Sequence, residues 1–166
     1  MLKYGMIPTV YFCNPNIAPL QEYEIRKQEL IRFLKSQNVP FVEAEYNHET
    51  WLNAVKGLEN EPERGNRCSL CFELRLKSAA KYASENGFKW LTTTLASSRW
   101  KNIEQINAAG NRATQDFPFV IFWEQNWRRG GLQERRNELL HLYEFYNQTY
   151  CGCEYSNYTK KEKGEQ

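Results

Sequence analysis

Short β-branched and aromatic runs alternate with longer amphipathic segments along nearly the whole chain, and this alternation restricts the fold more than any other feature. The strand-like runs are residues 8–12, 41–44, 90–95 and 117–123, each of buried-strand length and composition. Helical patterns cover residues 19–37, 49–58, 71–86, 102–109 and 132–147. In the first helix Tyr23, Leu30, Ile31 and Leu34 share a face, with Glu22, Arg26, Lys27 and Lys35 outside it. In the third, Leu76, Ala79, Ala80 and Ala83 form the buried stripe and Gly87 is the stop. Leu139, Leu142, Tyr143 and Tyr146 line the inner face expected for the last. Strands that alternate with helices pair in parallel beneath helical layers. The expected fold is α/β, a Rossmann-like three-layer arrangement with a mainly parallel sheet. Ligands of such sheets bind beyond the carboxyl ends of the strands, here at Asn14-Pro15-Asn16 and in the loop after Leu95. Residues 1–156 read as a single α/β domain carrying metal or redox chemistry, and 157–166 as a polar, disordered tail.

Four of the five cysteines form two tight pairs, Cys68-Ser69-Leu70-Cys71 and Cys151-Gly152-Cys153. The first pair opens a helix, where free N–H groups and the helix dipole stabilise anionic sulfur. A C-x-x-C pair brings two thiolates to one soft metal ion or one cluster. Zinc and iron–sulfur clusters both usually take four ligands, so two cysteines complete neither. Cys151 and Cys153 either supply the rest or form a redox disulfide. Cα atoms two residues apart lie within about 7 Å, inside disulfide range, and a bond closing so small a ring is strained and easily reduced. Gly152 supplies the backbone freedom such a ring needs. Cys13, at a strand end, reads as a small buried residue.

A hydrophobic content of 41% supports a folded core, while a net charge of +2 does not by itself point to nucleic acid. Ten Tyr, nine Phe and five Trp read first as packing residues, and second as surfaces for stacking bases or sugars. No run is long or apolar enough to span a bilayer, and no signal-peptide pattern begins at Met1. The expected location is the cytoplasm, where thiols stay reduced and cysteines act as ligands or catalysts. His48 and His141 have no partner at ligand spacing.

A longer ordered set of motifs carries a resemblance. It runs from Tyr11-Phe12-Cys13-Asn14-Pro15-Asn16-Ile17 through Glu22-Tyr23 and Arg26 to Ala54-Val55-Lys56-Gly57-Leu58-Glu59. Glu61-Pro62-Glu63, Arg67-Cys68-Ser69-Leu70-Cys71 and Arg75-Leu76 follow. Thr92-Thr93-Thr94-Leu95, Ser98, Lys101-Asn102 and finally Tyr150-Cys151-Gly152-Cys153 with Tyr155-Ser156 complete it. In this order they resemble the cobalamin-independent epoxyqueuosine reductases of the QueH type, over nearly the whole chain up to Ser156. The resemblance implies a nucleotide-hydrolase-like α/β fold. It implies an oxidoreductase that reduces epoxyqueuosine at the wobble position of tRNA to queuosine, the last step of that modification. It also implies a 4Fe–4S cluster, and leaves a second metal ion open. Carried over, Cys68 and Cys71 would be cluster ligands, and Cys151 and Cys153 a redox-active pair or further metal ligands. Asn14, Asn16, Arg26, Arg75 and Lys101 become candidate substrate contacts, with Arg128 a further candidate for phosphate. No nicotinamide or flavin fingerprint is present, so an external electron donor is expected.

Members of that family usually carry a strand with Cys-Cys-x-Pro some twenty to thirty residues before the Asn-Pro-Asn. Here Met1 stands thirteen residues before Asn14, so this first strand is missing, and the expectation is a start upstream of Met1 or a truncated form. The family also often has Arg where this chain has Asn147. Two other readings compete: a zinc-stapled binding domain, and a simple thiol–disulfide protein that uses Cys151 and Cys153 alone.

Overall fold

The computed structural model describes residues 5–146, 148 and 150–156. Asn147 and the expected tail, 157–166, lie outside the described residues. Two compact units emerge, one comprising Met1–His48 with Leu140–Gln166 and the other Glu49–Leu139.

In the first unit, β1 (Val10–Phe12) pairs in parallel with β2 (Phe41–Glu43), in the register Val10 to Phe41 and Phe12 to Glu43. The helix α1 (Leu20–Ser36) connects them, following a cis Ala18–Pro19 peptide. Phe12, Ile17 and Tyr23 form the core, with Leu30, Phe41 and Tyr46 packed against it. The Tyr23 ring lies 5.2 Å from that of Phe12 and 4.3 Å from that of Tyr46. Its hydroxyl donates to Glu43 Oε1 at 2.9 Å. Burial first, and then the Glu43 carboxylate, push this phenol well above its ordinary titration range.

The face of α1 differs from the sequence expectation in one respect. Tyr23 and Leu34 are buried as expected, but so are Glu22 and Arg26. Arg26 Nε lies 2.7 Å from Glu22 Oε1, one helical turn away. Each charge enters the interior because the other neutralises it and hydrogen bonds occupy the guanidinium.

The second unit contains α2 (His48–Ala54) from Glu49 onward, α3 (Asn66–Glu85), β3 (Trp90–Leu91), α4 (Ile103–Thr114) and β4 (Ile121–Phe122). β3 and β4 pair in parallel, Trp90 with Ile121 and Leu91 with Phe122. Phe72, Leu76, Leu95, Ile106, Ala109, Ala113 and Phe122 make its core, against which Cys68 and Leu91 pack. Helix α4 crosses β4 so closely that a Cβ on Gly110 would strike the Phe122 ring, so only glycine fits there.

The chain is α/β with parallel strand pairing, as expected, but several element limits differ. The run 90–95 leaves the sheet after Leu91. Thr93 Oγ1 accepts the Leu95 N–H at 3.2 Å and starts a 3₁₀ turn, Thr94–Ser97. A hydroxyl that captures a nearby backbone N–H competes with strand pairing. Only the end of the run 117–123 pairs, because Phe117 and Val120 close turns onto Thr114 and Phe117. Helix α4 continues to Thr114, with Asn102 Oδ1 accepting the Glu104 and Gln105 N–H groups as its cap. Helix α5 (Leu132–Leu142) ends before residue 147 and has no buried residue. Of the expected inner face, Leu139 and Tyr143 are half-buried, the Tyr143 ring meeting that of Phe33 at 5.1 Å, while Leu142 is 69% exposed. Among the described residues no helix is long and apolar enough to cross a membrane.

Candidate active site

Helix α3 begins at Asn66 rather than Cys71. This puts Cys68 in the first turn and Cys71 one turn further along. Residues three apart on a helix are neighbours on its surface. The turn before the helix is built around Cys68. Arg64 adopts φ of +72°, and its backbone N–H donates to Cys68 Sγ at 3.3 Å. A donated N–H favours negative charge on sulfur. Glu61 Oε2 accepts the Asn66 N–H at 2.9 Å and so closes the helix start. Cys71 is buried and Cys68 half-buried.

Two side chains that the sequence did not single out hold this turn. Gln105, from α4, donates through Nε2 to Arg64 O at 3.0 Å, Gly65 O at 3.1 Å and Ser69 Oγ at 2.6 Å. Arg67 is 2% exposed, and its Nη1 donates to Leu58 O at 3.1 Å and Glu59 O at 2.6 Å. It ties the incoming loop to the helix that carries the cysteines. The signal for Arg67 was its place beside Cys68, which suggests an electrostatic role and hides a structural one.

The other pair lies in the first unit. Cys151-Gly152-Cys153 runs beside the Asn-Pro-Asn turn that follows β1. Ile17 and Cys153 form an antiparallel bridge, and the Ala18 N–H donates to Gly152 O at 2.9 Å. Arg26 clamps the same turn, Nη1 donating to Cys151 O at 2.9 Å and Nη2 to Tyr150 O at 3.2 Å. Its guanidinium also stands over the Tyr150 ring at 5.2 Å. Tyr146 donates its hydroxyl to Glu22, 3.0 Å from Oε2. Beyond Cys153, Ser156 donates both N–H and Oγ–H to the Cys153 carbonyl, at 3.0 and 2.7 Å. No disulfide joins any of the five cysteines, so Cys151 and Cys153 are not bridged.

Gly152 has φ of +99°, and a Cβ there would stand 2.8 Å from Arg26 Nη1 and 3.0 Å from Ile17 Cγ1. A Gly152→Ala variant is expected to lose roughly 1–3 kcal/mol of stability from backbone strain alone, and to dislodge the Arg26 clamp. Thermal melting checks the first and thiol reactivity of Cys151 the second. A melt and a thiol reactivity unchanged from wild type would contradict both.

The remaining candidate contacts fall out as follows. Asn14 is half-buried, and its carbonyl accepts the Ile17 N–H at 3.2 Å. Asn16 is 1% exposed, and its Oδ1 accepts no hydrogen bond among the described residues. Arg75 is half-buried on α3. Lys101 Nζ sits 5.3 Å from the centre of the Phe72 ring. Arg128 Nη1 donates to Ser98 O and Lys101 O, each at 3.3 Å, and supports the loop after the 3₁₀ turn. The structure thus gathers Arg26 with Cys151 and Cys153, and Lys101 and Arg128 with the loop 98–101.

Among the described residues no three His, Cys, Asp or Glu side chains converge as a metal site. Cys68 and Cys71 fit a soft metal group as two of its ligands: both are thiols, adjacent on one helix, with an N–H aimed at one sulfur.

A family model described as epoxyqueuosine reductase QueH matches residues 1–159. The epoxyqueuosine reductase QueH of Histophilus somni is 50% identical over 152 residues, 92% of this chain and 63% of that protein. That of Acinetobacter baylyi is 48% identical over 156 residues, 94% of this chain and 72% of the relative. The Thermotoga maritima protein of the same name is 32% identical over 156 residues, covering 92% and 81%. The chain therefore spans a little under two thirds of the Histophilus protein. A match over 159 of 166 positions, both cysteine pairs included, settles the family. The chain belongs to the epoxyqueuosine reductase QueH family, a family of oxidoreductases.

Proposed function

We propose that this chain reduces epoxyqueuosine at the wobble position of tRNA to queuosine, in the cytoplasm, with electrons from an external donor. The observation that carries the reading is the family match across residues 1–159, which takes in both cysteine pairs. The construction of each pair supports it: a turn organised around one sulfur, and a glycine-centred turn clamped by a buried arginine.

In this reading Cys151 and Cys153 act as a dithiol. Their oxidation to a disulfide releases two electrons and two protons. The epoxide takes up both, its two C–O bonds break, an alkene forms and the oxygen leaves as water. An external reductant, a dithiol or a one-electron donor protein, then returns the disulfide to two thiols. Gly152 lets both sulfurs lie on one tight turn, and Arg26 holds the backbone of that turn through two carbonyls while Glu22 balances its charge. Arg26 therefore serves the thiols rather than a phosphate. Cys68 and Cys71 would hold a 4Fe–4S cluster, which when bound supplies electrons singly. Asn14 and Asn16, at the carboxyl end of β1, would border the substrate, with Arg75 and Lys101 near the RNA backbone.

Binding of tRNA is expected to weaken steeply with salt. Each phosphate contact corresponds to roughly a threefold loss between 50 and 200 mM, so Arg75 and Lys101 together correspond to roughly tenfold. Filter binding across that range checks it, and a flat response contradicts an RNA substrate.

A further inference from the structure

We propose that Trp100 is a stacking platform for an unpaired RNA base, which rests on the tRNA reading above and names the surface of the second unit that receives the loop. Trp100 is 65% exposed, while Trp51 is fully buried. An exposed indole is ordinary on a loose loop, but this loop is held from several sides. Arg64 Nε donates to Trp100 O at 2.8 Å. The Lys101 N–H donates to Ser98 O at 3.2 Å, and Arg128 Nη1 holds the carbonyls of Ser98 and Lys101. The Arg99 guanidinium lies over the indole, 4.9 Å from its centroid.

The position is as informative as the rigidity. Arg64 carries both anchors: its side chain holds Trp100, and its backbone N–H meets Cys68 Sγ. A base on Trp100 would thus lie near the first cysteine of the helix. The charge around the ring selects the partner. Arg99 lies over the indole and Arg64 holds the Trp100 carbonyl, and two cations at one exposed aromatic suit a polyanion whose bases are splayed out. An apolar protein surface would meet those charges unfavourably. Every base has a π-face, whereas a duplex hides its base faces inside the stack, so the partner is a loop.

The test is fluorescence anisotropy of the whole chain with a labelled anticodon stem-loop RNA and with a blunt RNA duplex. Trp100→Ala is expected to weaken stem-loop binding about tenfold and to leave duplex binding unchanged. Trp100→Phe is expected to restore stem-loop binding to within about threefold. Stem-loop binding by Trp100→Ala equal to wild type overturns the platform. An equal loss for stem-loop and duplex overturns it too, since stacking is then not what was removed. Wild-type protein that binds neither RNA overturns both the platform and the tRNA reading.

Discussion

A Cys153→Ser variant is expected to fold normally and to lose turnover of epoxyqueuosine in tRNA by roughly a thousandfold or more. Cys153 is 6% exposed, and its backbone is fixed by the bridge to Ile17 and by two hydrogen bonds from Ser156 to its carbonyl. None of these involves the sulfur, so replacement by oxygen leaves them intact. The cost to stability is that of burying a hydroxyl, roughly 1–3 kcal/mol where it finds no partner. The cost to chemistry is larger, because one remaining thiol cannot form the Sγ–Sγ bond that releases two electrons. Cys151→Ser is expected to do the same. The double variant is expected to be no worse than either single one, because groups that act as a unit are non-additive. Steady-state rates of the three variants check this. Normal turnover in Cys153→Ser would remove the paired role.

The second large effect concerns iron. Cys68→Ala and Cys71→Ala are each expected to lose most of the iron bound by anaerobically prepared protein, since a cluster missing one thiolate is labile. Folding should survive. Arg67 and Gln105 hold the turn through hydrogen bonds to backbone carbonyls and to Ser69, and none of these bonds uses a sulfur. Iron and sulfide analysis of the two variants beside wild type makes the comparison. Full iron retention in both would contradict ligation by this pair, and zinc in colourless wild-type protein would favour the binding-domain reading.

The alternation of strands and helices made the α/β class and its parallel pairing legible, because period and composition act locally. Strand length was not legible. Thr92-Thr93-Thr94 has good strand composition, but the Thr93 hydroxyl bonds forward to Leu95 and turns the chain into a 3₁₀ segment. The burial of Glu22 and Arg26 was hidden for a related reason. A charged pair at i and i+4 on a helix reads as a solvated face, and only the arrival of the carbonyls of Tyr150 and Cys151 makes burial favourable. Those partners are more than 120 residues away. The cysteine pairs were visible from spacing alone, but their supports were not. Gln105 reaches the Arg64 and Gly65 carbonyls as well as Ser69, and Arg67 reaches the Leu58 and Glu59 carbonyls, and nothing in a side-chain pattern marks a carbonyl as a target. The N–H of Arg64 on Cys68 requires positive φ at a non-glycine residue, which sequence propensity disfavours.

The most direct test of the proposed activity is nucleoside analysis by mass spectrometry. Iron-replete protein would be incubated anaerobically with tRNA bearing epoxyqueuosine and a chemical reductant, and the tRNA then digested. The account predicts that the epoxyqueuosine mass gives way to queuosine, one oxygen lighter, over many turnovers per protein. No conversion above the reductant alone, in protein that holds iron and binds the tRNA, would contradict it.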